Sequence, residues 1–458
     1  MFTAQNAQSL IGLALPMALC WAVSENRRRF PWRLALGAIA LQFILVLLLF
    51  GLPASRGVLL TLNSGVDGLA SAGAQGAQFV FGYLAGGSQP FPMPQGSVPF
   101  VFAFQVLPLI LVISALSALL WHWKVLKWVI RGFGFVFQRT LGLGGASALA
   151  AAVNIFLGNV ECAIVIKGYL DKLSRSEVFL MMTLGLATVA GSTMVAYATI
   201  LKDALPNAGA HILTAAVLSA PAGILLARII VPEKAGEGGE NADYSSMLLY
   251  SSALDAISTG VMDGLQVALN IGATLIVFVA FVALANGVLG IFPAFGGEPV
   301  TVQRILGVLF APLGWTLGIP WSEAPRAGRL LGEKLVLTEI IAFVDLAKDA
   351  TLSERTRMIM TYAICGFANV GSVGITVSGL SVLMPDRRVE VASLIWKALL
   401  AGFLATCMTA SVVGTIPDSI FGDAKPAPRL QAPTPVPAPN PPPPSNTTPP
   451  TLTATPSQ

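Results

Sequence analysis

The chain has 458 residues, of which 55% are hydrophobic and only 11% charged, with a mean hydropathy of +0.74. A soluble domain carries about 25% charged residues, so this composition excludes a soluble fold and describes a polytopic membrane protein. The net charge of +4 is spread over loops and leaves no basic footprint for nucleic acid.

Residues 9–23 form a first span, followed by the basic cluster Arg27, Arg28, Arg29 and Arg33. A cleaved signal peptide has the opposite order. The positive-inside rule puts the cluster in the cytoplasm and the N-terminus outside. A second span covers 34–52. Between 57 and 84, Leu59, Leu62, Val66 and Leu69 recur at helical spacing among Gly, Ser and Ala. That pattern predicts an amphipathic helix lying in the interface or between subunits. Residues 99–121 span inward, and Trp121, Trp123, Lys124, Lys127, Trp128 and Arg131 suit the cytoplasmic headgroup level.

Residues 143–170 are apolar, yet Asn154, Asn159 and Glu161 sit at their centre around Gly158. Each side of that glycine is too short for a span, which needs ~20 apolar residues. Two half-length helices predict a re-entrant hairpin whose broken backbone faces protein or a watery cavity. A carboxylate at such a tip marks a functional site; a single span with a packing glycine and a neutral glutamate is the plainer reading. Residues 177–201 then span outward through Thr188–Thr193, a small polar run that fits either helix packing or an unwound ion site. Residues 209–231 return inward.

From residue 245 the plan starts again. The segment 251–270 is amphipathic like 57–84, and a span follows at about 271–292. A second hairpin is expected over 302–347, punctuated by Pro312, Pro320 and Pro325 and carrying Glu339. Residues 357–382 hold GFANVGSVGITVSG, and the last span is about 389–415. From 423 to 458 the chain is Pro-rich and reads as a disordered tail. Glu161 precedes Ser176 by 15 residues and Glu339 precedes Ser353 by 14. The expected fold is therefore all-α: about eight spans, interfacial amphipathic helices and two re-entrant hairpins. Residues 1–56 hold the N-terminal spans, and 57–231 and 245–415 form an inverted repeat of the kind that builds a midplane site from discontinuous helices. Span count puts both the N-terminus and the tail outside.

Glu161 and Glu339 would converge with Asn159, Asn369 and Ser372, a set of acceptors and mixed donors suited to a neutral solute rich in hydroxyls and ring nitrogens. Phe367 adds a flat apolar wall, and Asn154 and Ser192 offer hard oxygens to a small cation. Cys20, Cys162, Cys365 and Cys407 lie in apolar segments without a C-x-x-C pair, so neither a disulfide framework nor a metal site follows. His122 and His211 fall near span ends.

At these residues the chain resembles the concentrative nucleoside transporter family, over roughly 9–415. The family's G-Q-T-E-x-P-L tip stands here as Gly158, Asn159, Val160, Glu161, Cys162 and Ala163. Its N-E-F-V-A motif is Thr338, Glu339, Ile340, Ile341 and Ala342; F-A-N-x-x-S is intact as Phe367, Ala368, Asn369 and Ser372; A-G-S is Ala190, Gly191 and Ser192. The resemblance implies a secondary active transporter that imports nucleosides on a cation gradient, Na⁺ being favoured. It implies a homotrimer with sliding transport domains in a bacterial inner membrane, and no organic cofactor. Asn159 and Glu161 would face the nucleobase, beside Val160; Glu339, Asn369 and Ser372 would bind ribose. Na⁺ would sit on Asn154, the backbone of Leu157, Ser192 and Thr193. Val160 removes a hydroxyl and Asn159 shortens an amide, both on the base-reading side. The runner-up is an H⁺-coupled importer of another hydroxylated, nucleoside-like metabolite. An enzyme would need a nucleophile–base pair or a metal centre, and no such cluster appears in the sequence.

Overall fold

The computed structural model describes residues 3–88, 90, 100–234, 250–294, 297, 299–417 and 420–421; the side chains of 53–56, 59–60 and 159–160 also lie outside the description. The Pro-rich tail is thus not covered. Among the described residues the regular structure is helical throughout. The N-terminal part comprises α1 (Ala4–Ala22), α2 (Trp32–Val46, prolonged by a π turn to Gly51), α3 (Pro53–Phe81), α4 (Phe102–Gln105), α5 (Leu107–His122) and α6 (Val125–Leu141). A pair of short helices follows, α7 (Gly145–Asn154) and α8 (Asn159–Val165), then a broken helix, α9 (Arg175–Ala187) and α10 (Gly191–Leu201), and the unbroken α11 (Ala208–Ile230). The second series runs α12 (Ala253–Leu289), α13 (Val302–Thr316), the short pair α14 (Ala324–Val336) and α15 (Glu339–Lys348), the broken pair α16 (Glu354–Ile364) and α17 (Val370–Leu383), and α18 (Arg388–Thr415).

Among the described residues, six helical runs are long and apolar enough to cross a membrane. With α1 and the interrupted α16–α17, the crossing candidates number eight. Burial separates them into two kinds. In α11, 94% of the most apolar window is buried, and in α12 only 6%. A helix apolar all round yet exposed faces lipid or another apolar surface, whereas α9–α11 and α18 form the core.

Two stretches differ from the expected elements. Residues 251–292, read as an interfacial helix and then a separate span, are the single 37-residue helix α12, roughly 55 Å long at 1.5 Å per residue. No proline interrupts it near Asn270, and its amphipathic start runs directly into the apolar end. The expected hairpin 302–347 contains three helices: the pair meeting at Glu339 is α14–α15, and α13 lies along α14. Pro312 sits inside α13 without ending it, while Pro325 opens α14 at its first turn, where a missing N–H costs nothing. Ahead of the first short pair lies α6, an amphipathic helix that the run of tryptophans and lysines at its start concealed; Ile130, Phe137 and Leu141 are its buried stripe.

Capping fixes where the broken helices begin. Ser174 accepts the Glu177 amide at 3.2 Å, and Glu177 Oε2 accepts the Ser174 amide at 2.9 Å, a reciprocal capping box. The same Glu177 takes the Ser147 hydroxyl at 2.8 Å, tying α7 to α9. Ser353 caps α16. The serines that cap the two broken helices are therefore Ser174 and Ser353; Ser176 instead donates to the Val231 carbonyl at 2.6 Å. At the end of α1, Glu25 binds Arg175 at 2.9 Å and Lys397 at 3.0 Å. The hydrogen bond from Arg175, helped by that from Lys397 and opposed by burial, holds the Glu25 carboxyl below its ordinary range. This clamp stabilises the fold above the free carboxyl pKa and is lost as pH falls through the depressed value.

The exposed helix α12 is fastened to α5 by close backbone approach. A Cβ on Gly260 would lie 2.7 Å from Ala115 Cα, and one on Gly264 would lie 2.8 Å from Leu111 Cα. Replacing Gly264 by Leu should force the two helices apart at a cost of about 1–3 kcal/mol. A lowered melting temperature of the purified protein in detergent is the expected outcome; an unchanged one would mean the helices are not held by this contact.

Candidate functional site

The first short pair turns at Ile155–Gly158, and Gly158 is the N-cap of α8. Glu161, three residues on, folds its carboxylate back over that glycine: a Cβ at 158 would lie 2.3 Å from Glu161 Oε2. The turn is stitched to the break between α9 and α10. Gly191 N donates to Phe156 O at 2.9 Å, and Thr188 Oγ1 lies 2.8 Å from both Asn154 O and Leu184 O. Asn154 is fully buried. Its amide nitrogen donates to Ala150 O at 3.0 Å and contacts Cys162 Sγ at 3.1 Å, but its Oδ1 has no partner. A buried amide oxygen left unsatisfied costs about 1–3 kcal/mol, and a small cation would satisfy it. The donor set around it, amide, hydroxyl and carbonyl oxygens, is the kind Na⁺ accepts.

The second short pair meets at Glu339, the first residue of α15. Thr338 caps that helix, its hydroxyl accepting the Ile341 amide at 3.4 Å. The Glu339 carboxylate is 3% exposed and held at both oxygens. Tyr197 Oη donates to Oε1 at 2.7 Å, and Asn369 Nδ2 donates to Oε2 at 2.8 Å. Asn369 is in turn fixed as the N-cap of α17, its Oδ1 accepting the Ser372 amide at 2.7 Å. Tyr197 is held by stacking on Phe343, with centroids 4.6 Å apart.

These elements enclose a cavity of ≈ 350 Å³, at the lower end of ligand-pocket sizes. Glu161, Ser192, Thr193, Glu339, Phe367, Asn369 and Ser372 all line it. The start of α10 at Gly191, of α15 at Glu339 and of α17 at Val370 all border it, so partial positive charge from helix termini faces the two carboxylates. Leu157 lines a smaller adjoining chamber of ≈ 120 Å³ that shares Glu161 and Ser192 with the main one. Asn154 lines neither. The side chains of Asn159 and Val160 lie outside the description; their backbone opens α8.

Two contributions escaped the sequence reading. Tyr197 lies one helical turn beyond Thr193, on the same face of α10, and that spacing was the available signal. Asn270, Thr274 and Phe278 of α12 form another wall, recurring every four residues as a polar-then-aromatic stripe. Splitting the segment at 270 hid it.

Comparison with known proteins agrees with this geometry. Residues 11–84 match the model for the N-terminus of Na⁺-dependent nucleoside transporters, residues 211–414 that for their C-terminus, and residues 103–204 a nucleoside-recognition domain. The chain is 37% identical to the nucleoside permease NupC of Helicobacter pylori, covering 89% of this chain and 96% of the permease. The chain belongs to the Na⁺-dependent, or concentrative, nucleoside transporter family. It is 30% identical to the rat sodium/nucleoside cotransporter 1, over 90% of this chain and 65% of the rat protein. The solved structure of CNTnw in an inward-facing substrate-bound state superposes with a TM-score of 0.81 at 35% identity, covering 91% of this chain and 99% of that one. Membership of this family makes the chain a multi-pass membrane transporter and not an enzyme.

Tyr197→Phe removes one of the two donors that hold the Glu339 carboxylate. A hydrogen bond to a charged group contributes roughly 1.5–3 kcal/mol, so nucleoside binding should weaken about 10- to 100-fold with little change in melting temperature. Titration of the purified variant with uridine checks this, and unaltered affinity would remove Tyr197 from the site.

Proposed function

We propose that this transporter imports nucleosides into a bacterial cell by Na⁺ symport, as a homotrimer, with its N-terminus and tail on the outer side of the inner membrane. The observation that carries the reading is the Glu339 carboxylate, clamped between Tyr197 and Asn369 on the wall of the cavity. Its two oxygens retain further lone pairs, so it can accept the paired hydroxyls of a ribose. Asn369 and Ser372 complete the sugar side. Glu161 and Asn159 take the base, next to Val160, and Phe367 with Phe278 supplies the apolar faces for the ring. Na⁺ occupies the oxygen set of Asn154, the Leu157 backbone, Ser192 and Thr193, supported by the unpartnered Asn154 Oδ1. The ion would fasten the hairpin tip to the break before α10, so that base-side residues take their binding positions only when the cation is present. That is symport in its simplest form: a bound ion raises substrate affinity, and each ligand favours the other by the same factor.

Two outcomes test this. Glu339→Gln should abolish uptake in proteoliposomes while the protein remains folded in detergent; near-normal uridine affinity in that variant would put ribose elsewhere. Replacing external Na⁺ by choline should stop uptake. Uptake that persists in choline and collapses with the pH gradient would instead identify a proton-coupled carrier.

Val160 cannot bond to a base edge, so base discrimination rests on Asn159, Glu161 and ordered water. Restoring Asn159→Gln with Val160→Thr should sharpen discrimination among bases by about tenfold, one hydrogen bond's worth, and leave discrimination against deoxyribose alone. Competition by a panel of bases and sugars is the measurement. A change in sugar selectivity alone would reverse the assignment of the two ends.

A further inference from the structure

Lys334 lies deep in the membrane unit, lines neither cavity, and bonds to none of the residues assigned to substrate or ion. It stands on α14 with none of its surface exposed. Its Nζ donates to the Ala363 carbonyl at 2.9 Å and to Thr406 Oγ1, and lies 5.4 Å from the centroid of the Phe403 ring. None of these partners is charged. The adjacent Glu333 pairs with Arg329 at 3.1 Å. An ammonium held by a carbonyl oxygen, a hydroxyl oxygen and an aromatic face is coordinated much as a bare alkali cation would be. Intramembrane lysines are expensive and mark functional positions.

Its place in the repeat says which position this is. Asn154 precedes Asn159, the first residue of α8, by five residues; Lys334 precedes Glu339, the first residue of α15, by five. The broken helices beside them correspond as well. Leu184 and Ala363 each stand ten residues beyond the serine that caps their broken helix, Ser174 and Ser353. The Leu184 carbonyl takes the Thr188 amide at 3.0 Å and the Thr188 hydroxyl at 2.8 Å, and that hydroxyl also lies 2.8 Å from the main-chain carbonyl of Asn154. The Ala363 carbonyl takes the Lys334 ammonium.

We infer that Lys334 is a built-in cation: its ammonium fastens the second hairpin to its broken helix, as the coupling ion fastens the first hairpin to its own. The inference rests on the proposed placing of that ion at Asn154. Each half then joins one carboxylate to one cation, Glu161 with the mobile ion and Glu339 with Lys334. The second hairpin is permanently locked to its broken helix, which keeps the sugar-binding carboxylate in place whether or not the ion is bound. Only the first hairpin has an exchangeable site, so one positive charge moves per nucleoside.

The reversal potential of uridine uptake in proteoliposomes gives the charge carried per nucleoside. One charge is expected, and two would overturn the inference. Lys334→Asn puts the first half's residue into the second and opens a vacant oxygen-lined site. In the absence of nucleoside, the Na⁺ dependence of the purified variant's melting temperature should steepen from a Hill coefficient of about 1 to about 2, the number of sites. High Na⁺ should restore the stability that the substitution removes. A single-site curve with wild-type stability would overturn the inference, since a lysine that merely filled space would give no ion-dependent rescue. Should Lys334→Asn fail to fold, the wild-type charge ratio decides alone. A wild type driven by protons in choline would displace Na⁺ as the coupling ion, and the one-charge ratio would still judge Lys334.

Discussion

The amide of Phe367 donates to the carbonyl of Thr188 at 3.2 Å, joining the break in one discontinuous helix to the break in the other. Backbone that leaves a helix inside a membrane unit loses its intrahelical partners, and an unsatisfied polar group there costs several kcal/mol. Each break in this molecule is therefore satisfied by the other or by a hairpin. Gly191 N takes Phe156 O, Thr188 Oγ1 takes Asn154 O, and the Lys334 ammonium takes Ala363 O. The four interrupted elements form one connected set. Removing any of them would strand polar backbone in the others, which is why the functional side chains sit at the most constrained part of the fold.

The same constraint arranges the electrostatics. A helix that starts mid-membrane points unpaired N–H groups at whatever lies before it. Asn369 and Thr338 satisfy some of these with their own side-chain oxygens. The rest of the positive potential falls on the cavity, where two carboxylates would otherwise be unaffordable. Glu339 needs two direct donors besides, and Tyr197 and Asn369 come from different halves of the molecule. The Glu339 carboxylate is thus held from both halves of the chain at once, and its geometry depends on the correct docking of α10 and α17 against α15.

How much of this the sequence revealed follows from what carries each feature. Gly158 and Glu161 announce themselves, because an apolar run that simply crossed lipid would hold neither a mid-run helix break nor a carboxylate. Breaks at Thr188–Ala190 and Cys365–Asn369 were visible as small polar residues within spans. The boundary of the second pair was not, since prolines at 312 and 325 look alike in sequence and only their position within a helix separates a tolerated proline from an opening one. Ser174 and Ser176 were confusable for the same reason: both precede Glu177 closely, and only the reciprocal hydrogen bonds identify the cap. Tyr197 and the stripe on α12 follow a four-residue helical spacing, but spacing alone does not say which face meets the cavity; that, and the placing of Lys334, depends on contacts between distant segments.

The two faces of α12 differ in the kind of contact they make. Against α5 it packs backbone to backbone through Gly260 and Gly264, with no room for a methyl group. Toward the cavity it presents only side chains, Asn270, Thr274 and Phe278, and the Phe278 ring lies 3.4 Å from where a Cβ on Gly371 would stand. Close-packed backbone interfaces resist sliding because every displacement creates clashes. An interface of side chains around a partly open cavity can be re-formed in another register. The helix pair α5–α12 is therefore a rigid wall of the cavity, and the carboxylates are reached only past the side chains that this wall and the hairpin elements present to each other.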